Sequence, residues 1–152
     1  MIKKEAVLGL IVDSKNRMLL QRKDEDYAFW LDYWTIFGGE IEEKESEIDT
    51  LLREIKEELG INLKDTRFFC RTVVLETVKN FKFGGIREKE TTISYFVVKF
   101  DGDLGKISLK EGAGYSIFTE DEIRRYGKLG LIVPHIYKVI EEYYYKSKEI
   151  KS

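Results

Sequence analysis

The chain has 152 residues, of which 43% are hydrophobic and 36% charged, with a net charge of −2. This suits one soluble domain over residues 1–152 with a real core, and it excludes a disordered polymer. The charge offers no general field for nucleic acid or an anionic membrane, so neither is expected as a partner. The lone cysteine, Cys70, rules out an internal disulfide and a cysteine metal cluster.

The chain opens with "MIKKEAVLGLIV", whose apolar run ends at Asp13 without a small-residue cleavage site. It reads as a first strand, not a secretion signal. No stretch approaches the length of a membrane span, so a cytoplasmic location is expected. "DSKNR" is a turn and "MLLQRK" a second strand. The segment "DEDYAFWLDY" is a loop. Its Tyr27, Phe29 and Trp30, with Trp34 just beyond, could stack on a base, though packing is the simpler role. "WTIFGGEI" is a short strand running into glycines. "SEIDTLLREIKEEL" carries the strongest helical pattern: Ser46 and Asp49 form an N-terminal cap, and Ile48, Leu51, Leu52, Ile55 and Leu59 make one apolar stripe.

Long strands follow at about 67–79 and 91–100, with a turn containing Gly84 and Gly85 between them. Cys70 falls in the first of these as a buried strand residue. "GYSIF" is a further strand, "TEDE" at 119–122 caps a short helix, and Pro134 starts a terminal helix. The fold class is α/β in the α+β sense, with a mixed β-sheet sandwiched between α-helices.

One stretch stands out. In "REIKEELG", residues 53–60, Glu54, Glu57 and Glu58 share a helix face. Glu54 and Glu58 repel at i, i+4, and Gly60 ends the helix, so Glu57 and Glu58 sit against its negative pole. Arg53 can pair with Glu57 only in the weaker orientation, and no cation stands four residues beyond Glu54. Such a face costs folding energy unless a cation binds, and a hard divalent ion is the natural guest for carboxylate oxygens.

Gly39, Glu45, Arg53, Glu54, Ile55, Glu57, Glu58, Gly60 and Ile61 stand in the spacing G-x5-E-x7-R-E-U-x-E-E-x-G-U, where U is bulky and aliphatic. Its seven fixed identities would arise by chance on the order of once in 10⁸ starting points. The chain therefore resembles the Nudix (MutT-like) hydrolases over nearly its whole length. The motif is preceded by Phe37-Gly38-Gly39 where the family usually has Pro-Gly-Gly.

The resemblance implies Mg²⁺-dependent (or Mn²⁺-dependent) hydrolysis of a diphosphate linkage in a nucleoside triphosphate or related nucleoside diphosphate derivative. A nucleotide-sensing domain without turnover is the alternative. The resemblance makes Glu57 and Glu58 metal ligands and Glu54 either a further ligand or the general base. It gives Gly39 a ligating backbone carbonyl and has Arg53 orient Glu45. Glu111, in "LKEGAG", resembles an extra carboxylate carried by MutT-type members, and an exposed loop acid is an equal reading. Arg22 and Lys23 end the second strand and could meet phosphate, with a solvated strand end an equal reading, and Gly38 and Gly39 would let substrate approach closely. A homodimer is allowed, since many relatives dimerise, but no residue marks an interface. "VLETV", about sixteen residues beyond Gly60, lacks the proline of ADP-ribose hydrolases and the tyrosine of diadenosine polyphosphate hydrolases. "GLIVPH" lacks the asparagine of 8-oxoguanine sanitisers, so strict 8-oxoguanine specificity is not expected.

Overall fold

The computed structural model describes residues 1–22, 32–63, 65–80, 85–106 and 114–150. Lys23, Tyr27, Phe29, Trp30, Gly84 and Glu111 lie outside the described residues. The elements run β1 (Ile2–Val12), β2 (Met18–Arg22), β3 (Trp34–Thr35), β4 (Phe37–Glu40), α1 (Glu47–Leu59), β5 (Asp65–Asn80), β6 (Gly85–Lys99), β7 (Tyr115–Phe118), α2 (Glu120–Lys128) and α3 (Pro134–Ile150). A single 3₁₀ turn, Leu104–Lys106, follows β6.

β1 is the axis of a mixed sheet ordered β3-β2-β1-β6-β5. It pairs in parallel with β6 from Ile2↔Lys89 to Val12↔Lys99. Its other edge is shared by β4, at Ala6↔Glu40 to Gly9↔Phe37, and by β2 at Val12↔Met18. β7 adds to β2. A strand covered on both faces must be apolar on both faces, which explains the unbroken "AVLGLIV". Val7 and Ile11 pack under α1 with Leu51, Ile55 and Leu59. Leu10 and Val12 face α3, against Ile136, Ile140 and Tyr144. The sheet thus lies between helices, as the residue pattern implies.

The segment read as one strand through "WTIFGGEI" is two, because β3 pairs with β2 while β4 crosses to β1. The apolar stripe of α1 also differs from its periodicity. Ile48 is 41% exposed, while Thr50 is fully buried. Thr50 tolerates this because its hydroxyl donates to Glu45 Oε1 at 3.1 Å. Cys70 is half-buried, since β5 is an edge strand whose inner face meets only the margin of the α3 core.

The caps behave as their sequences suggest. Ser46 accepts from the Asp49 N–H at 3.1 Å, and Thr119 with Glu122 makes both halves of a capping box, at 3.2 and 3.0 Å. Trp34 is a packing residue, edge-on to Phe118 at 5.0 Å and to Tyr126 at 6.4 Å between ring centroids.

Candidate active site

The site forms where α1 crosses β4. Gly38 has φ 149°, and a Cβ there would come 2.0 Å from the Val7 carbonyl oxygen, so no other residue fits. At Gly39 a Cβ would stand 2.8 Å from Glu54 Oε1. The second glycine therefore lets a carboxylate close on bare backbone.

Glu42, Glu45, Glu54 and Glu57 surround Arg53, Glu42 at 3.6 Å. Arg53 donates from Nε to Glu45 Oε2 at 2.9 Å and from Nη2 to Glu45 Oε1 at 3.0 Å, a two-pronged clamp. Its Nη1 reaches Glu54 and Glu57, each at 3.4 Å, long for a hydrogen bond. The Arg53 hydrogen bonds hold the Glu45 carboxyl below its usual range. Glu45 in turn ties the loop before α1 to its middle, as the resemblance implied for this pair.

Glu54 and Glu58 differ from Glu45. Burial pushes the Glu54 carboxyl up, Arg53 draws it down, and Glu57 adds to the rise. Glu58 is pushed up to about 7, first by burial and then by the Glu54 charge, with Gln21 drawing it part of the way back. Glu58 Oε2 is buried without a hydrogen-bond partner. Near neutral pH that group stands half ionised, an expensive state for a carboxylate with an orphaned oxygen.

Two residues that sequence reasoning passed over complete the site. Gln21, on β2, donates to the Ile36 carbonyl at 3.1 Å while facing Glu58. It is the one polar residue in "MLLQ", and that break in an apolar strand was the available signal. Tyr115, on β7, donates its hydroxyl to the Glu58 carbonyl at 3.1 Å and so satisfies an end-of-helix acceptor. Arg22 is exposed one residue beyond Gln21, its N–H bonded to the Gly114 carbonyl at 2.7 Å.

The structure thus gathers Gly38, Gly39, Glu45, Arg53, Glu54, Glu57 and Glu58, while Arg22 follows Gln21 at the exposed end of β2, paired with Trp34. Among the described residues no three acidic, histidine or cysteine side chains converge closely enough to ligate one ion as they stand. The donors nonetheless fit a hard divalent cation: they are carboxylates on one helix face, and one has a buried oxygen without a partner.

The model of the NUDIX domain matches residues 2–143. The chain belongs to the Nudix family. A curated relative of this Nudix chain is the 8-oxo-dGTP diphosphatase of Buchnera aphidicola subsp. Schizaphis graminum, 29% identical over 117 residues, 76% of this chain and 77% of the relative. Solved structures share the fold at lower identity. The MutT protein from Methanosarcina mazei Go1 has a TM-score of 0.65 at 19% identity, over 97% of this chain and 96% of the other. The E. coli dihydroneopterin triphosphate pyrophosphohydrolase has 0.64 at 20%, over 93% and 97%.

Proposed function

We propose that this Nudix chain is a Mg²⁺-dependent (or Mn²⁺-dependent) pyrophosphatase, cleaving a diphosphate linkage in a nucleoside triphosphate or related nucleoside diphosphate derivative. The observation that carries the reading is Glu58: its buried oxygen lacks a partner, its carboxyl is raised by burial and by Glu54, and Gly39 leaves the backbone beside Glu54 bare. A folded protein keeps such a feature at a cost, and a cation bound in the folded state repays it. The relative's name adds support, since it is an 8-oxo-dGTP diphosphatase at 29% identity.

Glu54, Glu57 and Glu58, the Gly39 carbonyl and Glu111 would hold the metal. When bound, it would neutralise diphosphate charge and lower the pKa of a water. The chain's own residues do the rest. The Glu45–Arg53 clamp fixes the α1 face, so that Glu54 and Glu57 keep their places as charge comes and goes. Glu54, half-buried and with its proton affinity raised, is suited either to ligation or to taking a proton from the attacking water. Arg22, at the end of β2, and Lys23, next in the sequence, would meet substrate phosphate, with Gly38 and Gly39 giving it room. No described helix is long and apolar enough to cross a membrane, which accords with a small nucleotide as partner and a cytoplasmic location.

The test is phosphate and pyrophosphate release over a panel of nucleoside triphosphates and diphosphate derivatives, 8-oxo-dGTP included, with Mg²⁺, with Mn²⁺ and with chelator. Turnover in metal and none in chelator is expected. Binding without turnover, in folded and metal-loaded protein, would leave the nucleotide-sensing reading in its place.

A further inference from the structure

Glu58 is held at two points by one cross-strand pair. Gln21 on β2 lies directly opposite Tyr115 on β7. Tyr115 packs into the core under α1 with Leu19, Phe37 and Ile117, and Gln21, two residues beyond Leu19, shares that face of the sheet. The Tyr115 hydroxyl donates to the Glu58 carbonyl at 3.1 Å. That carbonyl lies in the last turn of α1, which Gly60 ends in the left-handed conformation at φ 71°, so no later turn of the helix supplies its donor. The tyrosine ring is itself seated against Phe37, 5.5 Å between centroids. The Gln21 amide carries two N–H bonds. It donates to the Ile36 carbonyl at 3.1 Å, and it also hydrogen-bonds the Glu58 side chain. Glu58 Oε2 is buried with no partner, so the bond from Gln21 falls on Oε1. A simpler role for Gln21, serving the Ile36 carbonyl alone, would leave its second N–H idle. It would also leave unexplained why an amide follows Met18, Leu19 and Leu20, all fully buried, since ordering a glutamine for one neutral hydrogen bond gains little.

We propose that Gln21 and Tyr115 are positioning residues for Glu58: they fix its backbone and its Oε1, so that Oε2 alone is presented to a bound divalent cation. This role rests on the metal-dependent function proposed above. A free glutamate must immobilise its side-chain torsions when it ligates. Here that ordering is done on folding, before any cation arrives. Hydrogen-bond partners behind a ligating group are typically worth about 10–100-fold in metal affinity. Because the bond from Gln21 occupies Oε1, Glu58 offers one oxygen and not two. The two strands divide the work: β7 sets where the end of α1 stands, and β2 sets how the side chain points from it.

The probe is Mn²⁺ alone, titrated into the full chain at about pH 8, with free Mn²⁺ read from its electron paramagnetic resonance signal. Each protein is also melted in chelator and in excess Mn²⁺. Gln21→Met keeps the side-chain length and removes both N–H groups, and it should raise the Kd about 10–100-fold. Tyr115→Phe removes only the hydroxyl and should raise the Kd about three- to tenfold. A residue that merely supports the fold lowers the two melts equally. A positioning residue also shrinks the rise in Tm that Mn²⁺ brings, because weaker binding stabilises the folded chain less. Leu19→Val, on the same strand and face, is the control: it should lower both melts alike and leave the Kd within about twofold. If Gln21→Met does not fold, Tyr115→Phe decides. A Kd within about twofold of the parent in either folded variant, or a loss of affinity in Leu19→Val as large as in Gln21→Met, would overturn the positioning role and leave the metal-dependent function standing. A parent chain that takes up no Mn²⁺ would overturn both together.

Discussion

Glu58→Gln tests whether the carboxylate face of α1 exists for metal. The wild-type carboxyl is raised from 4.5 to about 7, by burial first and by Glu54 second. A carboxyl whose proton affinity rises on folding is bound to its proton more often in the folded chain than in the unfolded one. Its stability contribution is therefore lost as pH rises from about 4.5 to about 7. At roughly 1.4 kcal/mol per pH unit the full shift corresponds to about 3 kcal/mol. The side chain is partly exposed, so solvent screening reduces this to about 1–2 kcal/mol. Glutamine keeps the shape and never ionises. In chelator at about pH 8, the variant should melt about 2–8 °C higher than wild type. At about pH 5 the two should converge, because wild-type Glu58 is then protonated in the folded chain. With Mg²⁺ the order should shrink or reverse, since ligation stabilises only the folded protein with its ligands intact. The rate of nucleotide hydrolysis should fall at least about a hundredfold. The assay is thermal melting at two pH values, with and without metal, plus one rate. A variant that melts with or below wild type in chelator at pH 8 would refute the charge argument. So would a difference that does not change with pH.

Glu111→Gln should lower kcat at least about tenfold if Glu111 serves as ligand or base, and an unchanged rate would assign it to solvent. Gly38→Ala should lose about 2–3 kcal/mol in denaturant unfolding, because its Cβ would sit 2.0 Å from the Val7 carbonyl at φ 149°. Gly39→Ala should instead keep most of its stability and lose activity, since the intruded atom is the far end of Glu54; equal stability losses at the two glycines would count against that assignment. Asp13 gives a pH test remote from the site. Burial would raise its carboxyl, but hydrogen bonds from the Arg17 backbone and side chain and from the Leu104 N–H outweigh that and hold it low. Its stabilisation is therefore present above its unfolded pKa and lost as pH falls through its lowered folded value. Asp13→Asn should cost about 2–3 kcal/mol at neutral pH by chemical unfolding, and progressively less as pH falls below 3.8.

The stretch from Gly38 to Ile61 was legible as a candidate site because each position meets a local demand. Two glycines must admit backbone and carboxylate, an arginine must hold a glutamate eight residues earlier, and three acids must share a helix face. All of these are relations within one segment, and the structure keeps them. Relations between segments were not legible. That Glu58 is buried depends on Gln21 and Tyr115, which arrive from strands 37 residues before it and 57 residues after it in the chain. That β3 and β4 are separate depends on which neighbour each one pairs with. Ile48 fits the helical stripe by period alone, and its exposure depends on where the core ends.

Under the proposed metal-dependent function, Arg53 would not take the place of the cation. Arg53 commits its two best hydrogen bonds to Glu45, at 2.9 and 3.0 Å, and reaches Glu54 and Glu57 only at 3.4 Å. It screens those two weakly, and it is not among the groups that set the Glu58 shift. A second built-in cation near Glu58 would relieve the helix, but it would also occupy the place proposed for the metal. Under the proposed function, leaving Glu58 with burial, the Glu54 charge and an amide from Gln21 would favour an added cation in the folded state. The instability of the bare site and the binding strength of a filled one would then be two sides of the same electrostatic gap.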